Sequence, residues 1–364
     1  MLILKPLFSA FALALAFNAQ AEPSSYDIYA QLNQGPGNVT VTETGRVIFS
    51  QHPFYQPAVS VMELKGETPV PFPNAELNDR NSSSEIKLDS VLGIRAAPDG
   101  IVWMLDNGMR SGVTPKLVGW DTQADRLHRV IYLPPPVTPQ DQFVNDFAVD
   151  PVHRRIFISD PAGGANAALI VVDLATGAAR RVLQGHASVL PENVDLVIDG
   201  RPVQVKDAQG HLARPHIGVN PITEDLRNEW VYFGPMHGHA LYRIKAADLA
   251  DDKLDAETLA RRVERYADKP ISDGISIDRD GNIYLGELAE NAIGVITPDR
   301  KYRRISQCPN LSWVDSFSFG PQGLLYAVVN KLHQSATLNG GENLSKPPYF
   351  LIKAKSLAFG QAGR

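Results

Sequence analysis

Read as hydrophobic and polar positions, the chain is a succession of short apolar runs, each stopped by Gly, Pro, Asp or Asn. From Asp273 it reads ISID, a turn at Arg279-Asp280-Gly281, NIYLGEL, a turn at Ala289-Glu290-Asn291, then AIGVITP and KYRRIS. Four short strands joined by tight turns predict one antiparallel propeller blade. The same order recurs from Asn145 (FAVD, RRIFISD, AALIVVDLATG, ARRVLQ) and from Leu92 (GIRAAPDG, IVWMLDNG, KLVGWDTQ, RLHRVIYL). Shorter echoes open near Gly37, Pro215 and Asp315. Six starts, at 37, 92, 145, 215, 273 and 315, lie 42 to 70 residues apart. They predict an all-β fold, a six-bladed β-propeller with four-stranded antiparallel blades. Sandwiches lack such a repeated unit, and solenoids keep shorter, stricter periods.

Within each predicted blade the second strand is continuously apolar, as in Val102-Trp103-Met104 and Ile283-Tyr284-Leu285. A strand covered on both faces by neighbouring blades needs such a run. Two stretches break the pattern. Residues 185 to 215 predict an excursion with its own hairpin at Asp199-Gly200, and residues 245 to 262 have the spacing of one surface helix inside the fourth blade. YDIYAQL (26 to 32) and PYFLIKA (348 to 354) are both strand-like and are expected in or beside the last blade, where the ring must close.

The first 21 residues follow other rules. Lys5 precedes the apolar run from Leu7 to Phe17, and Ala19-Gln20-Ala21 is a small-residue cleavage site. This predicts a secretory signal peptide over 1–21 and one propeller domain over 22–364. The run is too short to span a bilayer, so no membrane association is expected. Loss of Lys5 takes the formal charge from −5 to −6, and no basic run offers a footprint for nucleic acid. The lone Cys308 excludes an internal disulfide, and the expected compartment is the periplasm or the medium.

Innermost strands of a propeller begin at one rim of the channel. The six starts converge there as Gly37, Leu92, Asn145, Pro215, Asp273 and Asp315, followed by Asn38, Gly93, Asp146, His216, Gly274 and Ser316. Oxygen donors gathered on one axis suit Ca²⁺, with Asn145 and Asp273 as candidate ligands, and equally suit a polyhydroxylated or cationic small molecule. The alternative is that Asp and Asn only cap strand entries. His216 is a candidate general acid or base, with Asp146 and Asp273 as its carboxylate partners. Asn38, Arg95, Asn145 and Asp315 are candidate ligand contacts. His237 and His239, two apart, would share a face on a strand and are further candidates, although Gly238 puts them at a turn. GxSxG, HExxH, CxxC, P-loop and GxGxxG motifs are missing, so a nucleotide cofactor, serine hydrolysis and zincin chemistry have no support.

LGIRAAPDGIVWMLDNG (92 to 108), NDFAVDP (145 to 151), EWVYFGPMHGHALYRI (229 to 244), SDGISID (272 to 278) and DSFSFGPQGLLYAVVNKLH (315 to 333) together resemble the bacterial branch of the Yellow and major royal jelly protein family, whose members are often labelled as related to L-dopachrome tautomerase. The resemblance implies a secreted six-bladed propeller, either binding a biogenic amine, catechol or sugar-like molecule or acting as an isomerase. A more distant similarity joins the chain to gluconolactonase and senescence-marker propellers. It implies a metal held by a first-blade Glu, a mid-chain Asn and the Asp of a PDG motif. Asp273 in SDG matches the last, and Asn145-Asp146 resembles the substrate-side pair. Gly37-Asn38 stands in place of the Glu, and Pro215-His216-Ile217-Gly218 in place of the SNG motif. The expectation is a monomer that binds a small molecule at the channel mouth, with a metal-dependent lactonase of altered ligand set as the alternative.

Overall fold

The computed structural model describes residues 26–364, so the predicted signal peptide lies outside the described residues. Six four-stranded antiparallel sheets form the blades of a propeller. Their innermost strands are Pro36–Val41, Val91–Ala96, Phe147–Asp150, Val219–Glu224, Ile275–Ile277 and Val314–Phe319. The Asp-Gly turns after the innermost strands of blades two and five close as expected, with Gly100 (φ 84°) and Gly281 (φ 87°) in the left-handed region that glycine enters without strain.

The core is not central but radial. One buried apolar cluster fills each gap between neighbouring blades, for example Phe157, Leu169, Val219 and Phe233 between blades three and four. Second strands such as Ile101–Asp106 are buried along their whole length, whereas the outer strand Arg126–Tyr132 is mostly exposed. This explains the unbroken apolar runs in the sequence.

Closure comes from the two terminal segments. Tyr26–Leu32 pairs antiparallel with Tyr349–Lys355 and becomes the outer strand of the sixth blade. The far end of the channel is filled by Arg364, which donates to the carbonyls of Asp225 (2.7 Å) and Val149 (3.3 Å) and lies 3.7 Å from Glu224.

Three sequence expectations need adjustment or amplification. The single helix over 245 to 262 is two short ones, Ala246–Ala250 and Ala256–Arg261. They are separated because Asp255 turns its carboxylate to the Thr258 N–H (2.7 Å) and so starts a new helix as an N-cap. The excursion contains its hairpin (Val197–Ile198 with Arg201–Pro202) and a second one, Val205–Lys206 with Leu212–Ala213. Blade four begins at Val219, not Pro215. Residues 215 to 218 form the lead-in, along which Met236 N–H donates to the Gly218 carbonyl and His237 N–H to that of Ile217.

Leu32, 3% exposed, packs between blades six and one and so reports on closure. Leu32→Ala should cost about 2–5 kcal/mol in urea denaturation, as much as Leu285→Ala in the middle of a blade. A cost within about 0.5 kcal/mol of zero would mean that the closing strand frays independently.

Candidate functional site

In four blades the innermost strand starts with a register shift, at Pro36/Val39, Val91/Ile94, Val219/Ile222 and Val314/Phe317. Bulges of this kind re-aim side chains at a sheet's end. The equivalent ring is therefore Gly37, Leu92, Asn145, Asn220, Asp273 and Asp315. Five positions agree with the sequence alignment, and the fourth is Asn220 in place of Pro215. Adjacent blades come so close here that the Gly93 N–H donates to the Asn145 carbonyl (2.9 Å) and the Gly274 N–H to that of Asp315 (2.6 Å). A Cβ on either glycine would lie 2.6 Å or 2.4 Å from those same oxygens, which only glycine avoids.

Polar side chains converge in two tiers. In the deeper one, Arg95 donates to Asn38 Oδ1 (2.7 Å) and Asp146 Oδ2 (3.0 Å), while Asn38 Nδ2 and the Phe147 N–H donate to Asp146 Oδ1. All three side chains are buried, and they tie blades one, two and three together. Burial raises the Asp146 pKa, opposed first by the Arg95 charge and then by these hydrogen bonds.

The upper tier lies on the floor of a pocket of about 240 Å³, formed by Asn145, Asn220, Asp273 and Asp315. Asn145 Nδ2 donates to Asn220 Oδ1, and Asn220 Nδ2 in turn to Asp273 Oδ1 (2.6 Å). Trp313 Nε1–H donates to Asp273 Oδ2 (2.8 Å), and Asn330 Nδ2 to Asp315 Oδ2 (2.5 Å). Burial raises the pKa of Asp273 to about 7, and the nearby Asp146 charge adds to the rise. Asp315 is raised well above the ordinary carboxylate range by burial and then by Asp273. Two carboxylates without an arginine between them favour a shared proton or a bound cation. Lys269 sits behind them, donating to the carbonyls of Gly238 and Pro270, with its ammonium lowered by burial to about 7.

The walls are apolar: Phe54, Phe143, Met236, Trp313, Leu332 and Leu338. The excursion and the loop after Leu332 form a roof, joined where the Gln204 N–H donates to the Leu338 carbonyl (3.1 Å) and the Gly340 N–H to that of Gln204 (2.9 Å). His52 also lines the pocket. It is held neutral, its pKa lowered by burial to about 3, with Nδ1 accepting from the Phe54 N–H (3.2 Å).

Asn38, Arg95 and Asp146 lie in the deeper tier, and three predicted residues lie away from both tiers. His216 is on the lead-in, facing Asp195 (3.3 Å), which also pairs with Arg214. It leaves the ring because the innermost strand of the fourth blade begins at Val219, after His216. His237 and His239 straddle the turn between Trp230–Pro235 and Ala240–Lys245 and splay apart, His237 buried and His239 exposed. His237 Nδ1 accepts from the Ile217 N–H, and His239 Nδ1 contacts the Lys269 carbonyl, so the pair is not brought onto one face. Among the described residues no three His, Cys, Asp or Glu side chains form a metal-binding group. The ring offers two carboxylates and two amides instead. Sequence reasoning missed Asn220, although it stands two residues after the Pro215-His216-Ile217-Gly218 stretch. It also missed Trp313, two residues before Asp315, and His52, which carries no local signal.

The sequence pattern of the major royal jelly proteins matches residues 89–315, more than half of the chain. The protein belongs to the major royal jelly protein family. No curated protein sequence matches this family member. Among solved structures it is similar to a luciferin-regenerating enzyme (TM-score 0.56, 12% identity, covering 92% of this chain and 95% of that one). It is similar also to a putative gluconolactonase (0.55, 13%, 94% and 95%) and to the gluconolactonase XC5397 of Xanthomonas campestris (0.52, 12%, 91% and 87%). At such identities the likeness is one of fold, and it agrees with the distant gluconolactonase similarity of the sequence motifs.

The deeper tier has a testable energetic role in this family member. Arg95→Met leaves Asp146 buried without its cation and should cost about 3–5 kcal/mol near pH 8. Asp146 already has a raised pKa, and without Arg95 it rises further. The folded variant therefore holds a proton that the unfolded chain has lost, and its stability falls as pH rises. Urea denaturation should show the deficit shrinking at pH 5 and largely cancelled by Asp146→Asn. Equal losses at both pH values would mean that packing, not charge, is what Arg95 supplies.

Proposed function

We propose that the protein is an exported, monomeric propeller that binds a small aromatic amine or catechol at the mouth of its channel. The observation that carries this reading is the pairing of apolar and aromatic walls with a carboxylate floor in one pocket of about 240 Å³. An ammonium or hydroxyl group meets Asp273 and Asp315, and the ring of the ligand packs against Phe54, Phe143 and Trp313. A cation placed between the two carboxylates offsets the burial that chiefly raises their pKa values, and with it the smaller repulsion that Asp273 exerts on Asp315. Asp273, with a pKa near 7, is also suited to take up and return a proton, which isomerase chemistry on a catechol-derived ligand requires. The apolar run before Ala21 supports delivery to the periplasm.

A second reading, a metal-dependent lactonase, is favoured by Asn220. With Asn220 on the ring, the fourth blade supplies the amide that the gluconolactonase-like pattern asks for, and the remaining departure is Gly37. Asp315 belongs to the sixth blade, next to the first around the ring, and provides a carboxylate near that place. The donor set fits a hard cation such as Ca²⁺, held by Asp273, Asp315 and the amide oxygens of Asn145 and Asn220. When bound, such an ion polarises a carbonyl oxygen. The chain's own part is to hold the ester against the apolar walls and to keep Asp273 ionised.

Calorimetry with dopamine and hydrolysis of glucono-δ-lactone, each with and without added Ca²⁺, separate the two readings. Under the binding reading dopamine binds without metal, and Asp273→Asn weakens it by about tenfold or more while leaving the melting temperature unchanged. Because the carboxylate form is the one that binds, affinity should fall about tenfold from pH 8 to pH 6, through the Asp273 value. Affinity that is flat with pH and unaffected by Asp273→Asn would leave Asp273 as a strand cap only. Export is checked separately by N-terminal sequencing of periplasmic protein, expected to begin at Glu22.

A further inference from the structure

Propeller blades diverge outwards, so the gap between two blades widens with radius and needs larger side chains towards the rim. Between blades five and six the chain does the reverse. Here Ala327, Ala354 and Ser306 face a cavity of about 230 Å³, walled by Ile293, Phe317 and Ile352. Protein interiors leave few voids larger than a water molecule, and an apolar cavity of about 150 Å³ already accepts benzene. The hydroxyl of Tyr284, which also borders the cavity, is engaged elsewhere, donating to Asp278 Oδ2 (2.9 Å) and accepting from the Leu357 N–H (2.6 Å). Tyr26 of the outer strand of blade six borders the cavity as well, its hydroxyl bonded to Cys308, so that apart from Ser306 the interior is greasy.

Its lining reaches the surface at Arg303 and Lys355, both exposed. Arg303 stands on the outer strand Tyr302–Gln307 of blade five and Lys355 at the end of Tyr349–Lys355 of blade six. Among the described residues neither has an acidic partner, whereas the adjacent Arg304 is paired with Glu287 and the nearby Lys353 lies over Tyr29. Two unpaired cations at the edge of an apolar cavity present what an amphipathic anion requires: a dry slot for its tail and donors for its head.

We propose that the gap between blades five and six is a second binding site, separate from the channel mouth, for a small amphipathic carboxylate with an unbranched apolar tail. The channel floor is a poor competitor, since Asp273 and Asp315 repel an anion there. The site does not depend on what the central pocket binds.

Octanoate is the probe, titrated into the full mature protein by calorimetry, with 1-octanol as the uncharged control. Wild type should bind one octanoate per chain, about tenfold more tightly than octanol. The double variant Arg303→Gln/Lys355→Gln, confined to exposed side chains, should bring octanoate down to the octanol level. Ala354→Leu, which fills the cavity, should abolish binding of both without lowering the melting temperature. Lack of saturable octanoate binding to wild type overturns the proposal, as does binding unaltered in both variants. A melting temperature lowered by Ala354→Leu together with no octanoate binding also overturns it, since the gap would then already be filled by polypeptide.

Discussion

The pairing of Tyr26–Leu32 with Tyr349–Lys355 is the interaction on which the rest depends. Each blade is a four-stranded sheet that buries its faces only against its neighbours, so a ring with one open gap would expose two apolar sheet faces. By making one blade from both ends of the described chain, the fold leaves no blade face unpaired. Six radial clusters then pack the gaps between blades, leaving a cavity between blades five and six, and a seventh packs beneath the roof around Leu196, Trp313 and Leu338.

Closure also brings the starts of six innermost strands to one axis, and the chain treats the two resulting tiers differently. The deeper carboxylate, Asp146, has a guanidinium and an amide of its own and acts as a tie between blades. The upper carboxylates, Asp273 and Asp315, have only neutral donors, Trp313, Asn220 and Asn330. Neutral donors orient a carboxylate without cancelling its charge, which leaves the floor able to receive a cation or a proton from outside. What separates the paired acid of this ring from the two unpaired ones is therefore the presence of Arg95.

Apolar roof segments from the excursion and from the loop after Leu332 change what that floor can accept. Val205 and Ile217 come from one, and Leu338 and Thr337 from the other, and they enclose the space above the carboxylates. A low-dielectric roof strengthens every charge interaction beneath it. It also explains why pKa values are displaced at the mouth of the channel, where solvent would otherwise hold carboxylates near their ordinary range.

Strand positions, blade count, the Asp-Gly turns and the terminal strands were legible in the sequence because each rests on neighbours a few residues away: alternation, turn chemistry and apolar runs. Five of the six ring positions were legible for the same reason, since they follow from the repeated blade starts, and at Leu92 and Asp273 the next residue is the glycine that the close approach of blades requires. The fourth blade was not. Residues 215 to 218 look like a strand start, and only their contacts with Met236 and His237 across the blade turn them into a lead-in, moving the ring from Pro215 to Asn220 and His216 away from the site. His52 and Trp313 were hidden too, because their place in the pocket depends on chain segments far away in sequence. The sequence by itself determined the repeat, the family and the oxygen-rich character of the ring. Tertiary structure alone decided which carboxylate keeps a counter-ion, which histidine lines the pocket and where a gap between blades stays open, since each of these is a contact between residues that no local pattern relates.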